Sequence, residues 1–213
     1  GTGSAIGFGN QTVVGTYTVK GINATTGCMN NMSTSVNVGT NPLPAVFTVM
    51  GGGNYCAGGS GVAVTLNGSV VGTDYQLYLG GATIGSPMPG TGGILNFGMQ
   101  TAAGTYTVVA TNTATTCTNN MAGSVNVGVD PLPTTYIITG GGNFCTAGAG
   151  VPVGLSGSST GIIYQLMIGS TPTGAPVAGT GGALSFGTQT TGGTYTVLAT
   201  NTTTGCSATM TGT

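Results

Sequence analysis

The sequence predicts an all-β chain made of small sandwich domains in tandem. Short stretches in which apolar and polar residues alternate are bounded by Gly, Asn and Pro clusters, which is the pattern of strands joined by turns. No stretch shows the capped apolar period of a helix, so essentially no helix is expected. The same motifs return after 89 residues with no insertion or deletion, which indicates an array of similar domains.

The repeat is carried by identical segments and by cysteines. The segment Gly-Thr-Tyr-Thr-Val begins at Gly15, Gly104 and Gly193. Pro-Leu-Pro segments at 42–44 and 131–133 keep the same step. Proline fixes its own φ and biases the preceding residue toward extended geometry, so these segments are expected to be short, stiff linkers.

The linkers divide the chain into repeat units. With the linker as the start, one complete unit spans residues 41–129, and a unit lacking its last five residues spans 130–213. Residues 1–40 match the second half of a unit, because Gly1 aligns with Gly90. We expect this chain to be a window from a longer repetitive polymer, with any signal peptide, anchor or tip domain outside it.

Strands of the complete unit are predicted from its alternating apolar residues. Thr, Val and Tyr, which favour half-buried pleated positions, are frequent in them. About seven strands in a domain of this size fit an immunoglobulin-like β-sandwich. The predicted strands are Val46–Met50, Val62–Leu66, Tyr75–Leu79, Ala82–Ile84, Ile94–Phe97, Thr105–Thr111 and Gly123–Val129.

Two local motifs are assigned structural roles. Gly104-Thr105-Tyr106 resembles the tyrosine-corner entry to the sixth strand, where the phenol bonds back to the backbone and the ring fills the core. The triplet Gly51-Gly52-Gly53, repeated at 140–142, is expected to bend the chain as it leaves the first strand. No Lys and no helix follow either triplet, so a phosphate loop is not predicted.

Charge is nearly absent. The chain has one cation, Lys20, and two anions, Asp74 and Asp130, with no His, Glu, Arg or Trp. One Lys cannot displace the counterions of nucleic acid, and no apolar run is long enough for a membrane helix. Without His or Glu, and with two Asp that do not recur in register, no acid–base catalyst and no enzyme are predicted. A net charge of −1 removes the repulsion between copies and favours self-association.

Metal and cofactor sites are not predicted. No Cys-x-x-Cys motif and no His are present for zinc, and a lone carboxylate such as Asp130 is too little for Ca²⁺. The five cysteines occupy two register positions: Cys56 and Cys145 precede the second strand, whereas Cys28, Cys117 and Cys206 follow the sixth. They are interpreted as structural disulfides of an oxidising compartment.

The disulfide connectivity is left open by the sequence. We expect pairing within units, Cys56 with Cys117 and Cys145 with Cys206, which leaves Cys28 unpaired in this window. The strand assignment places the two register positions toward opposite ends of the sandwich, which counts against this pairing. A bridge between neighbouring domains or chains is therefore the alternative.

Several motifs together resemble the tandem Ig-like repeats of giant surface proteins of Bacteroidota. The resemblance covers the whole chain and is carried by Gly51–Val64, Tyr75-Gln76-Leu77, Gly104–Val108 and Pro131-Leu132-Pro133. It implies an extracellular, cell-surface location and export by the type IX secretion system. It also implies a role in surface filaments used for attachment, gliding or prey capture. No catalytic or ligand residues are defined for such repeats, so none carry over.

Two functional hypotheses follow. In the first, the repeats form the shaft of an extracellular filament in which copies of the chain associate, because strand edges lack the charged residues that usually guard them. In the second, loops at the ends of each sandwich bind glycans or other cells with avidity along the array. Only Tyr55 and Phe144 are evident aromatic candidates for a sugar platform, and each could instead belong to the core.

Overall fold

The computed structural model describes residues 1–212, and all their regular elements are β-strands. Their bounds are β1 (Gly15–Ile22), β2 (Met29–Val38), β3 (Val49–Gly51), β4 (Gly53–Cys56), β5 (Val62–Leu66), β6 (Thr73–Leu79), β7 (Ala82–Pro89), β8 (Leu95–Gln100), β9 (Gly104–Asn112), β10 (Thr118–Asn120), β11 (Val125–Asp130), β12 (Ile138–Gly140), β13 (Val151–Leu155), β14 (Ile162–Ile168), β15 (Thr171–Pro172), β16 (Val177–Ala178), β17 (Leu184–Gln189), β18 (Tyr195–Asn201) and β19 (Ser207–Thr209). No helix that could span a membrane occurs in residues 1–212.

Strands β3 to β11 form a sandwich of two sheets. One sheet has the order β3-β5-β8, and the other has the order β4-β11-β9-β6-β7 with β10 also on β9. The pairs are antiparallel except that β4 runs parallel to β11. Two sheets of this size, with one edge strand shared between them, define an immunoglobulin-like sandwich. The predicted fold class is therefore confirmed.

The shared edge strand follows from the glycine triplet. Strand β3 ends at Gly51 in one sheet, and β4 begins at Gly53 in the other. All three glycines have positive φ, at 93°, 71° and 117°. A Cβ on Gly52 would lie 2.6 Å from the Asn126 carbonyl oxygen, so a side chain would not fit there. The predicted bend is present, and it moves the chain from one sheet to the other.

All seven predicted strands of the complete unit occur, one with the predicted bounds (Val62–Leu66) and six with shifted ends. The first begins at Val49 rather than Val46, and the fourth continues from Ala82 to Pro89. The pattern missed two short strands, β4 and β10. Both are only three or four residues long and largely polar or glycine-rich, so they carry no apolar alternation.

Strands β12 to β19 form a second sandwich with most bounds displaced by 89 residues. Its sheets have the orders β12-β13-β17 and β15-β14-β18-β19, with β16 also on β14. The counterpart of β7 is interrupted and becomes the short strands β15 and β16. The residues equivalent to β4, 142–145, are not a strand. In the first sandwich β4 pairs only with β11, and the described part of the second sandwich contains no counterpart of β11.

Each sandwich has its own hydrophobic core. The side chains of Tyr75 and Tyr164 are wholly buried at equivalent positions, one in each core. Each phenol oxygen accepts a hydrogen bond from a backbone N–H five residues earlier, Val70 or Ser159, at 2.9 Å. The polar end of the ring is thereby satisfied while its body fills the core. The two cores share no residue.

Residues 1–40 contain a lone hairpin and no such core. Strands β1 and β2 pair only with each other. Val19 is 38% exposed, whereas Val108, the same position in the first sandwich, is 1% exposed. Ile6 is 59% exposed, whereas Leu95, its equivalent, is 2% exposed. The residues that would form the inner face of a sandwich are therefore open in this segment.

This contrast predicts unequal effects of one substitution. Val108→Ala is expected to lower the free energy of unfolding of the first sandwich by about 2 kcal/mol, because it opens a cavity in a packed core. Val19→Ala is the matched control, and less than about 0.5 kcal/mol is expected for it because the side chain is already solvated. Urea unfolding of the two variants measures the difference. Equal losses would contradict the described packing of β1.

Candidate functional site

In residues 1–212, the side chains of Cys56 and Cys206 are the only ones that join the two sandwiches covalently. Cys56 is the last residue of β4 and stands opposite Asp130, the last residue of β11. The Ala57 N–H donates to the Asp130 carbonyl oxygen at 2.9 Å, and the Asn54 amide donates to the Asp130 carboxylate at 3.0 Å. Asp130 is the first residue of the linker, so Cys56 is held where the first sandwich ends and the linker begins.

Cys206 lies in the turn after β18 and is 1% exposed. The Asn201 side-chain oxygen accepts hydrogen bonds from the backbone N–H groups of Thr203 and Thr204, at 2.9 and 3.1 Å. The Asn201 N–H donates to the Cys206 carbonyl oxygen at 2.8 Å, which closes the turn. An Asn that bonds to the backbone two and three residues ahead is typical of an Asx turn. The turn therefore fixes the backbone from which the Cys206 side chain projects.

The disulfide joins Cys56 to Cys206, with 5.5 Å between their Cα atoms. The expected pairs within units, Cys56 with Cys117 and Cys145 with Cys206, are wrong in this structure, and the alternative of a bridge between neighbouring domains is found. The reason lies in β9. Cys56 is beside the residues that precede this strand and Cys117 follows its end, so about 25–30 Å separates them. A disulfide requires Cα atoms less than about 7 Å apart.

The remaining cysteines Cys28, Cys117 and Cys145 are free thiols. Cys117 is half-buried, while Cys28 and Cys145 are exposed. Sequence reasoning missed the Asx turn. Its sequence signal is an Asn five residues before the cysteine, and this spacing occurs at Cys28, Cys117 and Cys206.

The tyrosine corner has the predicted geometry. The Tyr106 hydroxyl donates to the Ala102 carbonyl oxygen at 2.8 Å. Tyr17 and Tyr195 make the same bond to the carbonyl four residues earlier, Val13 and Thr191, also at 2.8 Å. Burial, with a smaller effect of nearby Tyr55, raises the pKa of Tyr106 above its ordinary value. These tyrosines hold the entry to β9 and its equivalents.

The raised pKa of Tyr106 predicts how stability depends on pH. The unfolded chain loses the phenol proton first, near pH 10, whereas the folded chain keeps it to higher pH. The free energy of unfolding should therefore be flat from about pH 5 to 8, where no His or Glu titrates, and fall above about pH 10. Urea unfolding after alkylation of the free thiols measures this profile. Tyr106→Phe should show a shallower alkaline fall than the wild-type chain, and an identical slope would contradict the assignment.

The aromatic candidates for a sugar platform are otherwise engaged or isolated. Tyr55 is partly buried against the first core, and its hydroxyl donates to the Thr101 carbonyl oxygen. Phe144 is the equivalent of Tyr55 in the next repeat unit, and it is half-exposed in an irregular segment. The two rings therefore do not present equivalent flat surfaces along the array, as repeated sugar binding would require.

Ionisable side chains do not gather into a metal site. In residues 1–212, no three His, Cys, Asp or Glu side chains are close enough together to hold a metal ion. Asp130 bonds to Asn54 and belongs to the junction described above. Its equivalent Asn41 carries no charge, so the contact does not recur in the same chemical form.

The open face of residues 1–40 is an apolar groove of about 820 Å³. It lies between β1, β2 and the irregular segment before β1. Apolar side chains line much of it, at positions whose equivalents are core or pack against the core in the first sandwich: Phe8, Tyr17, Val19, Met32, Val36 and Val38. Lys20, the sole basic side chain, also borders the groove.

These observations define the class: an all-β chain with two immunoglobulin-like sandwiches that are joined by a disulfide. No protein-family model and no curated protein matches the chain. Among solved structures it is similar to the human OSCAR ligand-binding domain, with 11% identity, a TM-score of 0.35, and 80% of this chain and 96% of that chain covered. It is also similar to Sidekick-1 immunoglobulin domains 1–4, with 15% identity, a TM-score of 0.34, and coverage of 92% and 56%. These two likenesses are to immunoglobulin domains and concern the fold alone.

Proposed function

We propose that this chain is a structural, non-enzymatic segment of the shaft of an extracellular filament. The observation that carries the proposal is the disulfide between Cys56 and Cys206, which spans the junction of two consecutive sandwiches. Repeat units 41–129 and 130–213 are the building blocks, and residues 1–40 are the second half of a further unit. The separate cores of the two sandwiches support this division.

A bridge beside the linker restricts bending of the array. The backbone through Pro131-Leu132-Pro133 is one connection between the sandwiches, and the disulfide is a second. Pro133 is buried, so the linker is itself packed at its second proline. Two connections at one junction remove the free hinge that a single flexible linker would leave. A stiff rod is what a shaft requires.

Lateral association is the second part of the proposal. The outer face of the β3-β5-β8 sheet carries Met50 and Met99, which are 51% and 53% exposed. Met50 stands opposite Thr65 and Met99 stands opposite Ala63, so both flank the uncharged outer side of β5. An uncharged sheet face with open strand edges favours contact with another copy of the chain.

The extracellular location is supported by the disulfide, because such bonds persist in oxidising compartments. Export by the type IX secretion system, attachment to the surface of a bacterium of the Bacteroidota, and use in attachment, gliding or prey capture are supported by the sequence resemblance alone. Copies of the same chain are the proposed partners, and other cells are what the finished filament would contact.

Cryo-electron microscopy of native surface filaments, with their mass per length, tests the proposal. Several chains side by side, in contact through strand edges, are the expected result. A single thread of domains would contradict lateral association. Only the first part of the proposal, a stiff rod of linked sandwiches, would then stand.

Sedimentation velocity of the isolated chain provides a matched control. The positions equivalent to Met50 and Met99 are Thr139 and Thr188, so a Met50→Thr, Met99→Thr variant gives the first sandwich the residues that the second has at these two positions. Concentration-dependent association should weaken in this variant if the methionine face mediates it. Association of equal strength would locate the contact elsewhere, and a monomeric wild-type chain at all concentrations would contradict self-association.

A further inference from the structure

We infer that the observed disulfide is one step of a periodic ladder, in which the first cysteine of each repeat unit pairs with the second cysteine of the following unit. In this chain the rule joins residues 150 positions apart, as Cys56 and Cys206 are. The inference deepens the proposed shaft function and rests on its repeat architecture, but it does not depend on lateral association.

The second cysteine is presented by the same turn in all three copies. The Asn five residues earlier bonds through its side-chain oxygen to two backbone N–H groups at 2.9–3.1 Å, and its own N–H bonds to the cysteine carbonyl at 2.8–2.9 Å. The residue before the cysteine has positive φ in each copy: 69° at Gly27, 58° at Thr116 and 74° at Gly205. Thr116 adopts this conformation although it carries a Cβ, so the turn is maintained where the residue type does not favour it.

The first cysteine also repeats its local geometry. The Gly59 N–H donates to the Cys56 carbonyl oxygen at 2.9 Å, and the Gly148 N–H donates to the Cys145 carbonyl oxygen at 2.7 Å. A Cβ on either glycine would lie within 2.9 Å of that same oxygen, so both turns need glycine at this point. Cys145 therefore begins the same turn that follows the bridged Cys56.

The two cysteines of one unit face opposite neighbours. Cys56 stands opposite Asp130, at the linker to the following unit. Cys117 is two residues from Asn119, whose side-chain amide donates to the Pro44 carbonyl oxygen at 2.8 Å, at the linker to the preceding residues. The complete unit therefore carries one cysteine at each of its two junctions, which is the arrangement that a ladder requires.

The rule also accounts for which thiols are free. A spacing of 150 residues places both partners inside residues 1–212 for one pair only, Cys56 and Cys206. Cys28 and Cys117 would need partners in earlier units, and Cys145 would need one in a later unit. These three are the free cysteines of the structure. Pairing within units would instead leave a single free thiol.

Each bridge forms by thiol–disulfide exchange. Two thiols give up two protons and two electrons, and a small-molecule disulfide such as oxidised glutathione is reduced to two thiols. The product has one covalent cross-link at every junction, so a tensile load on a filament would be shared by the linker and the bridge. A reductant would then restore bending at every junction.

The test is a chain lengthened by its own sequence. Residues 41–89 are added before Gly1, which continues the register because Gly1 aligns with Gly90. After refolding in a glutathione buffer, alkylation and proteolysis without reduction, mass spectrometry identifies the linked peptides. The ladder predicts that the added copy of Cys56 is joined to Cys117, with Cys56 still joined to Cys206. Pairing within units predicts a bridge to Cys28 instead, and that result would overturn the inference.

A second extension guards against failure of the added half-unit to fold. Residues 125–213 are added after Thr213, and the ladder then predicts a bridge between Cys145 and the added copy of Cys206. The number of free thiols should stay at three, as in the parent chain. A fall to one would contradict the ladder. Cys28→Ser is the control, since it should remove one free thiol from either extended chain and change no bridge.

The filament proposal is judged separately. If the ladder is absent but native filaments contain several associated chains, the disulfide inference fails and the shaft function stands. If the ladder is present in a chain that never associates, the cross-linked rod stands and lateral assembly fails.

Discussion

Replacing Cys206 by Ser is expected to lower the free energy of unfolding of the linked sandwiches by about 5 kcal/mol. The bridge closes a loop of 150 residues, and the chain-entropy relation gives this magnitude for a loop of that length. Removing the bridge raises the conformational entropy of the unfolded chain far more than that of the folded chain. The measurement is urea unfolding under oxidising conditions, followed by tyrosine fluorescence, with the free thiols alkylated beforehand.

The chain offers two controls for this substitution. Cys56→Ser removes the same bridge from its other end and should give the same loss, although Cys206 is buried and Cys56 is only half-buried. Cys145→Ser changes an exposed free thiol at the position equivalent to Cys56 and should stay within about 0.5 kcal/mol of the parent chain. If Cys206→Ser and Cys145→Ser unfold alike, the bridge does not link the two sandwiches.

The difference between predicted and observed pairing shows which information the sequence lacks. The residues indicate that two cysteines recur per unit, and the strand pattern places them at opposite ends of a sandwich. Whether each thiol meets the next unit depends on the geometry of the junction. That geometry is set by β4 and by its parallel pairing with β11, and β4 carries no apolar alternation that would reveal it.

The strands of the two sandwiches were predictable because several of the longer ones, such as β5, β6 and β9, bury one face. Val64 and Leu66 are wholly buried, while Thr65 between them lies on the outer side of the sheet, which is the two-residue alternation read from the sequence. The hydroxyl bond of Tyr106 was predictable for a related reason, since its motif encodes a local contact four residues away. Contacts between residues close in sequence, and burial of one face of a strand, leave a recognisable pattern in the sequence. Contacts between repeat units leave no such pattern.

Adding residues 41–89 before Gly1 is expected to change residues 1–40 from an open hairpin into part of a closed sandwich. In the first sandwich, the inner face of β9 is covered by the β3-β5-β8 sheet, and β9 pairs with β6 along its length. The hairpin strand β1 lacks both kinds of neighbour. The added residues supply β3 to β7, and Ile6–Gln11, now irregular, should become the counterpart of β8.

Hydrogen exchange measures the completion of the unit. Amides of Gly15–Ile22 should exchange at least about 100-fold more slowly in the lengthened chain, because their opening would then require unfolding of a packed core. Amides of β9 should change little and serve as the internal reference.

A matched variant separates packing from simple lengthening. Leu66 is wholly buried in the first sandwich, so Leu66→Ala within the added segment alone should remove much of the new protection while leaving the chain length unchanged. If the added residues leave β1 exchanging as before, or if the Leu66→Ala copy protects it equally well, residues 1–40 are not the second half of a repeat unit. Protection that depends on this one side chain would show that the residues lining the open groove form a packed core with the added segment.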